Sequence, residues 1–301
     1  MRKLSIAAVV VTFNRKLWLM ECLDALLSQT VPLSHIYIVD NASTDGTEQA
    51  LREASYLTRQ CVEYIRLAAN SGGAGGFSAG MKAAFDAGFD WFWLMDDDVE
   101  AYPNALAELL RFCGRSECIH GRRSNPDGTP HAWGGYFHAR SITTSPIPDP
   151  LFSAHQDSQE VTLGCFEGML ISRKVVAQIG FPDARFFITW DDTFYGYLAS
   201  RVTRVLYANV LVLKRKRAVD LRDFSLAGHR QLLSPLALYH FHRNRFLIAK
   251  ALGTCSAAFW RMTAILTIRG VLRELIFIRS IGRAFVIARG AFDGVRFLTT
   301  S

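Results

Sequence analysis

Three adjacent carboxylates, Asp96-Asp97-Asp98, close the apolar segment Trp91 to Met95. Ionised side by side they repel one another, and at the end of a buried strand they are costly unless a cation or basic groups neutralise them. A divalent ion meets that need. Mg²⁺ or Mn²⁺ takes oxygens from one or two carboxylates and keeps positions open for phosphate oxygens, as at a nucleotide diphosphate site. Strand alternation puts Asp96 and Asp98 on one side and makes them the metal candidates. The bland alternative is a solvated turn in which Asp98 caps the next helix. A second pair, Asp191-Asp192, follows the aromatic segment Phe186 to Trp190. Taken alone, it reads as a helix N-cap and a first-turn acid.

The elements around these acids must bring them together. Ile6 to Val11 reads as a buried strand, Leu17 to Leu27 as a helix and Ile36 to Val39 as a second strand, and this βαβ unit implies a parallel sheet. Val62 to Leu67 and Trp91 to Met95 supply two more strands. Each ends in a polar loop: Thr12 to Arg15, Asp40-Asn41, the glycine-rich Asn70 to Gly76, and Asp96 to Asp98. Ligands of open α/β sheets bind outside the strands' carboxyl ends, so these loops are expected to converge. Glycines at 72 and 73 let backbone N–H groups approach a diphosphate, or simply make a tight turn. The stretch Gly73-x-Gly75-x-x-Ser78 nearly matches a dinucleotide fingerprint, but lacks the last glycine and follows the third strand. From Ile119 to about Glu160, Gly, Pro, Ser and His predict irregular structure or short antiparallel pieces.

The 301 residues, half of them hydrophobic, can bury a large core, and the net charge of +7 suits phosphorylated ligands, anionic lipid or nucleic acid. No nucleic-acid-binding module is recognisable, so nucleic acid is not expected. The six cysteines form no C-x-x-C pair, and Cys113, Cys118, His120, His131 and His138 fall outside zinc spacings, which points to a reducing cytoplasm. Met1-Arg2-Lys3 before an apolar run resembles a signal peptide only superficially, because Asn14-Arg15-Lys16 follows with no cleavage site.

Val9-Val10-Val11-Thr12-Phe13-Asn14-Arg15, Ile38-Val39-Asp40-Asn41-Ala42-Ser43-Thr44-Asp45-Gly46-Thr47 and Leu94-Met95-Asp96-Asp97-Asp98, in that order, resemble the nucleotide-sugar motifs of family 2 glycosyltransferases with the GT-A fold. The resemblance covers roughly residues 5 to 250. Asn70 to Phe77, Trp93 to Asp98 and Trp190-Asp191-Asp192 are similar to bacterial galactofuranosyltransferases and rhamnosyltransferase-like relatives. The implied fold is α/β, a mixed, mostly parallel sheet flanked by helices with a C-terminal helical extension. Its divisions are a nucleotide-sugar half (1–118), an acceptor half (119–250) and a basic amphipathic extension (251–301). The resemblance implies that Thr12, Asn14 and Arg15 line the nucleotide pocket, that Asp40 meets the base, and that Asp96 and Asp98 organise ribose, diphosphate and Mn²⁺ or Mg²⁺. Asn41, Asn70, Gly72, Gly73 and Asp97 complete the donor-site candidates.

Inverting transfer needs a base for the acceptor hydroxyl. The resemblance implies Asp192 for that role, with Asp191 contacting acceptor or helix. Trp190 and Glu167 are the acceptor-side candidates, and Trp190 either stacks on a sugar or belongs to the core. Many relatives carry a metal-binding histidine on the following strand, where this chain has Val210 to Leu213 and then Lys214-Arg215-Lys216-Arg217. Either Lys214 contacts the phosphates directly, or His229, His240 or His242 reaches the metal from elsewhere. Tyr239 to Asn244 resembles a segment that follows the catalytic region in relatives, and Arg243 either pairs with phosphate or faces solvent.

Between Cys255 and Ser301 lie seven arginines and two acids among many apolar residues, with no run long enough to span a bilayer. On a single helical wheel Arg261, Arg269, Arg273, Arg279 and Arg283 share one third of the circumference, unless Gly270 and Gly282 break the helix. An interfacial membrane helix is expected, or else a packing extension. The implied reaction is transfer from a UDP-sugar, UDP-galactofuranose ahead of dTDP-rhamnose, to a lipid-linked envelope or O-antigen glycan at the cytoplasmic face of the inner membrane. A nucleotidyltransferase and a catalytically silent sugar-binding scaffold are the rivals.

Overall fold

The computed structural model describes residues 4–131, 133–147, 156–217 and 233–299. The first half alternates β1 (Ile6–Thr12), α1 (Lys16–Leu27), β2 (His35–Asp40), α2 (Thr47–Glu53), β3 (Val62–Arg66), α3 (Gly72–Asp86) and β4 (Trp91–Asp96). β1 is parallel to both β2 and β4, and β2 is parallel to β3. Every residue of β1 is buried, because α1 covers one face with Leu19, Leu23 and Leu26 and α3 covers the other with Phe77 and Met81. That double cover is why the strand reads as an unbroken apolar run. Register pairs Thr12 with Asp40 and Val11 with Asp96, so the polar loops leave one edge of the sheet together.

The second half adds β5 (Val99–Ala101), α4 (Ala105–Leu110), β6 (Cys118–Ser124), β7 (Pro130–His131), β8 (Gly135–His138), β9 (Thr143–Pro146), β10 (Ser158–Val161), β11 (Met169–Ser172), α5 (Arg173–Ile179), a 3₁₀ turn at Ala184–Phe186, α6 (Asp191–Ser200) and β12 (Val205–Arg215). The ten-stranded sheet runs β10-β12-β6-β11-β4-β1-β2-β3, with β5 on β12 and β7 on β6, while β8 and β9 form a separate hairpin. β11 is antiparallel to β4 and β6, and β6 returns to parallel pairing with β12. The segment from 119 to 160 therefore holds more order than its composition predicts. β6 is a seven-residue interior strand, and its Arg123 and His120 are buried.

Three helices close the chain: α7 (Pro235–Ala251), α8 (Ala257–Ile276) and α9 (Ile281–Thr299). Ser234 and Ser256 cap α7 and α8 by accepting from the backbone N–H three residues on. α7, inside the expected 1–250 unit, packs against α9 of the expected extension. Gly290 and Gly294 permit the approach, since a Cβ there would lie 2.4 Å from the Tyr239 carbonyl or 2.3 Å from the Phe246 ring. The break between α8 and α9 falls at Phe277 to Ser280, where Arg279 has φ +54°, and not at Gly270 or Gly282. The five expected arginines do not form one stripe. Arg283 is turned inward onto the buried Glu274 at 2.8 Å, and Arg273 is half-buried.

Candidate active site

Asp96 is the last residue of β4, and the chain turns at once into β5. Carboxylate oxygens of Asp96, Asp98 and Glu167 lie within 4.8 Å of one another. Asp97 points elsewhere: it is buried, accepts from the Thr12 hydroxyl at 2.7 Å, and meets Arg15 Nη1 at 3.0 Å, which also reaches Asp98 at 3.1 Å. Burial, then the charges of Asp98 and Glu167, push the Asp96 carboxyl well above its ordinary range. Burial also raises Asp97, against the pull of Arg15. At Glu167 burial is outweighed by Arg123 and by Arg215, which lies 3.0 Å away, and the carboxyl is held low. Asp98 does not cap the next helix, because α4 starts at Ala105 with Asn104 before it.

The oxygen-only donor set suits a hard divalent cation, whose field would relieve the repulsion that raises Asp96. Glu167, expected on the acceptor side, joins this acidic centre. No described histidine supplies an atom to this three-residue group, although the charge of His131 helps to hold the Glu167 carboxyl low. His240 stacks on Phe187, ring centroids 5.1 Å apart, and His242 Nδ1 lies 3.3 Å from the Thr267 hydroxyl on α8. His229 lies outside the described residues. In the basic run it is Arg215, not Lys214, that reaches the acids; Lys216 pairs with Glu21 and Glu100, and Arg217 lies over the Trp18 ring.

The donor loops are knit together by short hydrogen bonds. Asp40, wholly buried, accepts from Tyr64, from Arg66 at 3.2 Å and from the Ser43 N–H at 2.7 Å. Asn14, at φ +55°, accepts from the Thr44 N–H at 2.7 Å and donates its own N–H to Ser43 Oγ at 2.8 Å. Asn41 donates to the Gly72 carbonyl at 3.1 Å and accepts from Ser71, while Asn70 accepts from the Gly72 N–H at 2.8 Å. A Cβ on Gly73 would stand 3.8 Å from Asp191 Oδ2, so the start of α3 lies beside the second acidic pair.

Asp191 opens α6 and is preceded by Trp190 at φ +71°, so Asp191 is the first helical residue and not the N-cap. Burial raises the carboxyls of both Asp191 and Asp192, and Asp191 is raised further by its neighbour. Asp192 accepts from the Thr193 N–H at 2.5 Å and its hydroxyl at 3.2 Å. Cys165 stands between the two acidic groups: it lies 3.2 Å from Arg123 Nη1, the arginine paired with Glu167, and its thiol helps to offset the rise of the Asp192 carboxyl. Trp190 is committed to the core, 7% exposed, with its indole N–H on the Phe241 carbonyl at 3.1 Å. Little of its ring is left for a sugar.

The loop leading to Asp191 is strained. Phe187, Thr189 and Trp190 all have left-handed φ of +63°, +72° and +71°, a conformation costing about 1–3 kcal/mol for each non-glycine residue. Asn244 of α7, fully buried, holds it with its side-chain NH2, whose two N–H groups are shared among the carbonyls of Phe186 (2.8 Å), Ile188 (3.0 Å) and Thr189 (2.8 Å). From the other side Ala74 N–H donates to the Phe187 carbonyl at 3.1 Å, and Gly72, at φ +71°, is needed because a Cβ would come within 2.0 Å of that oxygen. Arg243 also donates to the Arg185 and Phe186 carbonyls. Sequence reasoning left this α7 segment without a role and missed Arg123, Arg215 and Asn244, since nothing in their spacing announces contacts so distant along the chain.

A mixed sheet of this order, with acids at its strand ends and helices on both faces, is the GT-A fold of glycosyltransferases. The family model for glycosyl transferase family 2 matches residues 7–180, and the chain belongs to that family. Galactofuranosyltransferase GlfT1 of Mycobacterium tuberculosis is 31% identical over 192 residues, covering 62% of this chain and 62% of that protein. Hyaluronan synthase of Streptococcus pyogenes is 32% identical over 187 residues, 57% of this chain and 41% of its own. The chain thus spans less than two thirds of these relatives' lengths. Among solved structures, S. aureus TarS 1-349 in complex with UDP-GlcNAc superposes with a TM-score of 0.61 at 16% identity, covering 97% of this chain and 81% of that one. GalNAc-T7 with UDP, GalNAc and Mn²⁺ gives 0.57 at 14% identity, covering 87% and 56%.

Proposed function

We propose that this chain is a metal-dependent, inverting glycosyltransferase that moves galactofuranose from UDP-galactofuranose to a hydroxyl of a lipid-linked cell-envelope or O-antigen glycan, at the cytoplasmic face of the inner membrane. The observation that carries it is the pairing of an acidic centre, Asp96, Asp98 and Glu167, with a second, half-buried acidic pair, Asp191 and Asp192, beside the start of α3. The choice of galactofuranose is supported by the GlfT1 relatives. A nucleotide donor and Mn²⁺ are supported by what TarS and GalNAc-T7 bind.

Residues 1–118 hold the donor: Thr12, Asn14, Arg15 and Asp40 surround the nucleotide, with Asn41, Asn70, Gly72, Gly73 and Asp97 shaping the loops. Asp96, Asp98 and Glu167 hold Mn²⁺ or Mg²⁺, which when bound neutralises the charge that collects on the departing diphosphate. Residues 119–250 hold the acceptor, and 251–301 is the membrane-facing extension. Asp192 takes the proton of the acceptor hydroxyl, whose oxygen bonds to the anomeric carbon as the bond from that carbon to the diphosphate oxygen breaks and its electrons leave with UDP. Attack from the face opposite UDP inverts the centre. A carboxyl raised by burial is a stronger base once ionised than an ordinary aspartate.

The test is to incubate the protein with UDP-galactofuranose and lipid-linked acceptors, with and without Mn²⁺, and read UDP release and the anomeric configuration of the product. Asp98→Ala is expected to lose turnover and metal-dependent donor binding together, and Asp192→Ala to lose turnover alone. Full activity in both variants would overturn the assignment.

A further inference from the structure

The α8–α9 hairpin carries a surface that the transfer reaction does not use. Ile268, Leu272 and Ile276 recur every four residues along one face of α8, Phe277 follows in the turn, and Ile281 and Phe285 lead α9. All six are between 48% and 78% exposed. Isolated exposed leucines need no explanation, but a contiguous apolar patch at the end of a hairpin does. The opposite face of α8 is taken up by α7 and α9: Thr263 meets Arg245, Thr267 meets His242, and Gly270 lies against Ile287.

The charges around the patch say what covers it. Arg261, Arg269, Arg279, Arg289 and Arg296 are exposed, whereas neither acid of the two helices is: Glu274 is buried under Arg283, and Asp293 is taken up by Tyr239, Arg289 and Arg296. A second copy of the same face would set arginine against arginine. Anionic lipid headgroups complement the arginines while acyl chains accept the apolar tip. No helix of the described residues is long and apolar enough to cross a membrane.

We propose that the α8–α9 hairpin docks the protein on an anionic bilayer, with Ile276, Phe277, Ile281 and Phe285 between the acyl chains and Arg269 and Arg279 on lipid phosphates. The proposal rests on the lipid-linked acceptor for its purpose, though not for its binding. α9 packs on α7, and α7 carries the Asn244 that holds the loop before Asp191, so docking would present that loop to substrates carried by the membrane.

The full chain is sedimented with phosphatidylglycerol vesicles and with phosphatidylcholine vesicles, and UDP binding is measured in parallel. Binding to phosphatidylglycerol well above phosphatidylcholine is expected, falling more than about tenfold in the triple variant Phe277→Ser, Ile281→Ser, Phe285→Ser. Arg269→Glu with Arg279→Glu is expected to remove the preference for phosphatidylglycerol, and UDP binding should persist in every variant. Absence of vesicle binding by the unaltered protein overturns the proposal whatever the sugar assays give. So does a dimer in solution that the triple variant dissociates while vesicle binding stays unchanged. Vesicle binding without sugar transfer would leave docking standing and overturn the proposed function alone.

Discussion

The donor loops and the loop before Asp191 are held in opposite ways. Asp40, Asn41 and Asn70 bond to residues a few places along the chain, such as Ser43 and Gly72, or to the neighbouring loop, on the ends of parallel strands. The Phe187 to Trp190 loop is in a conformation its own residues disfavour, and is kept there by Asn244 on α7 and by the backbone of α3. Local bonding makes a binding surface legible in a short motif. A base held by distant helices leaves no such trace, and is correspondingly easier to misplace by a substitution far from the chemistry.

The largest expected effect is at the acidic centre. Asp98→Ala should lower kcat by at least about 10³-fold and abolish Mn²⁺-dependent UDP binding, measured by calorimetry. Asn244→Ala takes the side-chain donor from the Ile188 and Thr189 carbonyls, while Phe186 keeps Arg243, so it should lower kcat by about 10- to 100-fold while leaving UDP affinity within about twofold, because Asp40, Asn41 and Asn70 make no bond to it. A matching loss of UDP affinity would erase the contrast between the two regions. Glu167→Gln should weaken Mn²⁺ binding by more than about tenfold, read by metal titration, and lower the melting temperature, because Arg123 is buried and would lose its counter-charge.

The smallest effect is on pH dependence. Asp191 and Asp192 have carboxyls raised by burial, so the folded protein holds those protons more tightly than the unfolded chain does. The stabilisation is fully present below the ordinary aspartate range and is lost as pH rises through the raised values. Turnover runs the other way, appearing as Asp192 ionises. Asp191→Asn should therefore flatten the loss of thermal stability as pH rises from about 4 toward about 8, read in a denaturation series.

The same contrast explains what the amino-acid sequence revealed. β1, β2 and β4 and their loops were legible because buried strands are continuously apolar and end in polar residues, whereas β3, at the sheet edge, is only partly buried. Asp191 as the start of a helix was legible from its aromatic flank. β6 was not, because the Gly, Pro, Ser and His content from residue 119 to about 160 predicts irregular structure or short antiparallel pieces, and Arg123 is buried with Glu167, more than forty residues on, as its counter-charge. Glu167 itself carries no motif, and its place beside Asp96 follows from β11 pairing antiparallel with β4. The tail's arginines were read on one wheel, whereas the turn at Arg279 divides them between two helices and Glu274 draws Arg283 inward.

The most direct test of the account compares UDP release from UDP-galactofuranose by the unaltered chain and by Asp192→Asn, with Mn²⁺ and a lipid-linked acceptor present, alongside UDP binding by each. Mn²⁺-dependent release by the unaltered chain is expected, with a loss of about 10²- to 10⁴-fold in the variant and equal UDP affinity. Equal release from both, or release indifferent to Mn²⁺, would contradict it.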